Sequence, residues 1–71
     1  MVESVYKVIE LVGSSSESWE RAAANAVETA GKTLHDLRVA EVVEQDLVIE
    51  DGKVRAYRVK VKLSFKYRSE E

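Results

Sequence analysis

One histidine, a run of three serines and a group of five carboxylates are the side chains of this chain that chemistry could use. His35 stands beside Asp36, and the pair has the parts for a proton relay or for two ligands of a metal ion. It lies at the carboxyl end of the predicted helix, however, where the negative end of the backbone dipole by itself accounts for an imidazole. Ser14, Ser15 and Ser16 follow Gly13 without the G-x-S-x-G frame that exposes a nucleophile on a strand-to-helix elbow, so capping of the next helix is their expected task. Gly13 has no partner glycines to build a phosphate cradle. The sequence contains no cysteine, which removes thiolate catalysis, sulfur-ligated metals and disulfides together. No catalytic set emerges, and the chain is read as not being an enzyme.

The carboxylates are Glu41, Glu44, Asp46, Glu50 and Asp51. On a strand, Glu44 and Asp46 are two apart and share a face, while Glu41 is expected on the opposite one. Within one copy they are natural partners for a basic strand face made by Arg58, Lys60, Lys62, Lys66 and Arg68, with Glu10 helping to neutralise it. In a symmetric oligomer the same carboxylates from several copies could converge on an axis and hold a hard cation such as calcium through oxygen ligands. Nothing resembles EF-hand spacing. The net charge of −2 offers nucleic acid no general attraction, and the basic face is read as salt-bridged or solvated.

These groups must be positioned by few elements. Val5 to Val12 is rich in β-branched residues, so a first strand is expected from about Glu3 to Val12, ended by Gly13 and the serines. Trp19, Ala22, Ala23, Ala26, Val27, Ala30, Leu34 and Leu37 recur at spacings of three and four, which predicts a helix from about Glu17 to Leu34 with one of Ser14, Ser15 or Ser16 as its cap. Glu17 and Glu20 then lie near the positive end of that helix. Gly31 either loosens its last turn or permits a close approach there. Arg38 to Ile49 and Lys53 to Tyr67 alternate apolar and charged side chains around Asp51-Gly52, a strong hairpin signal. The expected order is β-α-β-β, an α+β fold with a three-stranded antiparallel sheet wrapped around one helix, and residues 1–71 are read as a single domain.

The elements do not match in length. A helix of that span is about 27 Å long, whereas a fifteen-residue strand approaches 50 Å. A domain of 71 residues also buries only about 60% of the surface its unfolded chain exposes. Self-association is therefore the expected source of stability, with Tyr57, Phe65, Tyr67 and the two-sided apolar first strand as candidate contacts. Trp19 is expected in the core or an interface. No apolar run is long enough to span a bilayer and no export signal opens the chain, so a cytoplasmic protein is expected.

The segments Val5 to Ser15, Trp19-Glu20-Arg21-Ala22-Ala23, Ala40 to Gln45 and Tyr57 to Phe65 resemble the dodecin family, in order and over nearly the whole chain. The resemblance implies a hollow homododecamer that stores or buffers a small ligand, often riboflavin or a related flavin, without turnover. It assigns ligand binding to Arg38, Val39, Glu44, Gln45 and Arg58. Val39 matches the tryptophan that stacks on the flavin ring in flavin-binding members, Arg58 matches a glutamine that reads the ring's polar edge, and Glu44 matches an acidic residue beside the flavin. Valine lacks the large π-face that rewards stacking. The chain is in this respect similar to a subgroup to which calcium binding is attributed, and calcium or no cofactor is expected over FMN or riboflavin.

Overall fold

The structure, a computed structural model, describes residues 4–67. Strand β1 is Tyr6–Ser15, helix α1 Trp19–Ala30, β2 Leu37–Glu50 and β3 Lys53–Lys66. The sheet is antiparallel throughout in the order β1-β3-β2. The β-α-β-β fold expected from the sequence is the fold observed. Asp51 and Gly52 both take positive φ, 53° and 73°, and make the tight turn between β2 and β3 as their residue types require.

Helix α1 presses its alanine stripe onto the middle strand. Ala22, Ala26 and Ala30 are buried against Val59, Val61 and Leu63 of β3, with Ile9, Leu11, Trp19, Val27 and Leu37 packed around them. Small helix side chains bring the two backbones close, and the closest point is Gly13. A Cβ there would run into the carbonyl oxygen of Ala22 and lie 2.9 Å from the Ala26 Cβ.

Several expectations need correction. The first strand does not end at Val12 but continues through Gly13 to Ser15, because Gly13 is an in-strand contact point and not a breaker. The expected start near Glu3 and the basic residue Arg68 lie outside the described residues. The cap of α1 is Ser18, none of Ser14, Ser15 or Ser16: its backbone is extended and its hydroxyl accepts the Arg21 amide at 2.9 Å. Ser15 instead accepts the Glu17 amide at 2.9 Å and shapes the loop. The helix stops at Ala30, well short of Leu34. Gly31 caps it with φ −65°, and the amides of Lys32 and Thr33 reach back three residues in tight turns. Leu34 and Leu37 therefore pack from the loop and from the start of β2.

The length mismatch survives. Twelve helical residues reach about 18 Å, under strands of fourteen, and the molecule measures 55 × 20 × 15 Å. Val42, Leu47 and Ile49 of β2 and Val54 of β3 are left exposed.

Candidate functional site

The register of the sheet determines which side chains share its outer face, the one turned away from α1. Cross-strand partners point the same way, so the outer face is a series of rows read from β1 through β3 to β2. They are Val8, Ser64 and Val39; Glu10, Lys62 and Glu41; Val12, Lys60 and Glu44; and Ser14, Arg58 and Asp46. The cations all stand on the middle strand, flanked by carboxylates on the outer strands.

Glu41 is on this face too, contrary to the expectation from simple alternation. A β-bulge between Val42 and Glu44 inserts Val43 without a partner, and the extra residue resets the alternation. Glu41, Glu44 and Asp46 consequently stand in one line along β2.

The carboxylates meet the cations as the charge pattern suggested. Arg58 donates from Nε and Nη2 to the two carboxylate oxygens of Asp46, both at 2.8 Å. Lys60 lies 3.6 Å from Glu44 and Lys62 3.9 Å from Glu10, while Arg55 approaches Glu50 at 3.5 Å nearer the turn. The Arg58 hydrogen bonds hold the Asp46 carboxyl below its ordinary value; desolvation opposes them, and the charges of Arg58 and Lys60 add to the lowering. Asp46 in turn keeps the Arg58 guanidinium more firmly protonated.

The five residues assigned to ligand binding are not gathered within one copy. Glu44 and Arg58 are diagonal neighbours in the middle of the outer face. Val39 lies opposite Ser64, six residues along β3 from Arg58, or about 20 Å away. It is 60% exposed. Arg38 is the unpaired residue of a second bulge, and with Val27, Leu37, Val39, Ala40 and Leu63 it lines a depression of about 240 Å³. Gln45 pairs with Val59 and so belongs to the helix side.

His35 is exposed in the loop after α1. No group of three or more His, Cys, Asp or Glu side chains is arranged to hold a metal among the described residues of one copy.

The contacts of Trp19 with the sheet have no counterpart in the sequence reading. The Trp19 indole Nε1 donates to the Asp46 carbonyl oxygen at 3.1 Å, and its ring meets Tyr57 edge-on, with centroids 5.3 Å apart. The Asp46–Arg58 pairing falls within the expected opposition of carboxylates and basic face, and a bulge at Arg55 that shifts the register near the turn decides which carboxylate meets which cation. Opposite charges recurring at matched intervals on β2 and β3 are the signal in the sequence for these pairs.

The family model for dodecin matches residues 5–68. The chain is 49% identical over 65 residues to calcium dodecin of Mycobacterium tuberculosis, covering 92% of each protein. A solved structure of that protein, described as a calcium chelator with a calcium-binding site, matches with a TM-score of 0.82 over 96% of this chain and 97% of the other. Dodecin of Streptomyces coelicolor is 37% identical, with a TM-score of 0.92 over 99% and 100% of the two chains. Dodecin of Thermus thermophilus is 40% identical over 62 residues, 87% of this chain and 90% of its own.

Proposed function

The chain belongs to the dodecin family, and from that premise we propose that it is a non-enzymatic, cytoplasmic binding protein that assembles into a hollow homododecamer and takes up calcium. The observation that carries the ligand is the outer face of the sheet. Glu41, Glu44 and Asp46 are aligned there by the Val43 bulge, and valine occupies position 39, where a flavin binder needs an aromatic ring.

One copy offers calcium too few oxygens, since the ion takes six to eight. Symmetry supplies the rest when carboxylates of neighbouring copies meet at an axis. The relative named for calcium supports this choice of ion. The uncovered apolar side chains on both sides of the sheet support the assembly, since exposed apolar patches in a small domain mark contacts with other chains.

Native mass spectrometry tests both parts. The protein as purified is expected at the mass of a dodecamer, to gain calcium in whole multiples, and to gain no riboflavin. A monomer or dimer would remove the shell, and saturable quenching of riboflavin at low micromolar protein would restore the flavin site.

A further inference from the structure

At the row of Ser15, Tyr57 and Leu47 the sheet passes from three strands to two, because β1 ends there. Residues 48–56 continue as a two-stranded hairpin tip. Such a hairpin is marginally stable alone in water, and Ile49 and Val54 in it are exposed. The tip is nonetheless held at its root from both sides of the sheet.

On the helix side, Trp19 donates to the Asp46 carbonyl oxygen and packs edge-on against Tyr57. On the outer side, the Asp46 carboxylate is clamped by both nitrogens of Arg58. Asp46 takes part on both faces, with its backbone on one and its side chain on the other. A paired guanidinium and carboxylate has a fixed planar geometry, so the clamp restrains orientation as well as distance.

We propose that Asp46 is a latch that sets the direction in which the hairpin tip leaves the body of the protein. Opening it, at the carboxylate or at the carbonyl, loosens the tip while the core under α1 stays closed. The carboxylate arm of the latch stands on the proposed calcium face, so the latch described is that of the protein without bound calcium, with both Asp46 oxygens taken by Arg58.

Hydrogen exchange of the full chain, in its own assembled state, tests the latch. The proteins compared are the parent, Asp46→Asn, Arg58→Gln and Trp19→Phe. Asp46→Asn and Arg58→Gln are each expected to exchange about two- to fivefold faster at residues 48–56, the size of effect an exposed ion pair allows, with residues 22–30 and 59–63 unchanged; Trp19→Phe, whose ring also packs against the core, is expected to raise exchange at the tip more than in the core. The combined Asp46→Asn, Arg58→Gln protein should exchange no faster than either single variant, since both remove one contact. A tip that does not respond would overturn the proposal. So would an equal rise in tip and core, or the same response from Glu44→Gln, which removes a neighbouring ion pair without touching the latch.

Discussion

Gly13 and Gly31 stand on either side of the helix and answer opposite demands. Gly13 is where α1 lies against β1, and any side chain there meets the backbone of Ala22. Gly13→Ala is expected to cost about 1–3 kcal/mol, the usual range for overpacking a closed core, read as a lower denaturation midpoint. Gly31 has an ordinary helical φ of −65°, and an added Cβ would lie 3.4 Å from the nearest atom, the Val27 carbonyl oxygen. Gly31→Ala should therefore stabilise by about 0.4–1 kcal/mol, chiefly by restricting the unfolded chain. At Asp46 the measurable quantity is a titration. Its carboxyl is depressed in the folded protein by the Arg58 hydrogen bonds, so the stability it contributes is present above the unfolded value, about 3.9. That contribution is lost as pH falls through the lower folded value. In Arg58→Gln the Asp46 titration followed by NMR should move up toward 3.9, and an unmoved titration would show that Arg58 is not the cause.

Each element depends on local chemistry that the sequence disclosed unevenly. The hairpin was legible because Asp51-Gly52 admits few conformations, and the alanine stripe because its spacing suits only a helix. The helix ends were less legible. Four serines lie in the segment before α1, and which of them caps depends on the path of the chain over Gly13. Ser18→Ala should accordingly cost about 1 kcal/mol in thermal or denaturant unfolding, with Ser16→Ala nearly neutral. Bulges were not legible at all. The residue types of Arg38, Val43 and Arg55 give no sign of an extra position, yet the bulge at Val43 moves Glu41 to the face of Glu44 and Asp46. For the same reason the binding assignments could be placed along the chain but not in space, since Val39 and Arg58 share a face and stand far apart on it. Element existence followed from periodicity; side-chain neighbourhood followed from register.

As a whole the molecule is a slab. Its radius of gyration is 14.9 Å, against about 11 Å for a compact domain of this length. Only Ala22, Ala26, Ala30, Val59, Val61 and Leu63 are buried outright among the described hydrophobic residues. Leu63→Ala should cost about 2–5 kcal/mol through the cavity it leaves. Val42→Lys leaves this core intact and charges an exposed position on the helix side of β2. It is expected to lower the assembled fraction in native mass spectra at equal concentration, and an unchanged fraction would take Val42 out of the contact. The melting temperature of the parent protein should rise with its own concentration, as for any fold stabilised by partners. The thin core has a further consequence. Copies too dilute to meet a partner would expose apolar rows that an assembly covers, and would be the more open to a protease. In a chain that assembles, resistance to proteolysis then rises with concentration, so a dilute sample is expected to be cut faster than a concentrated one.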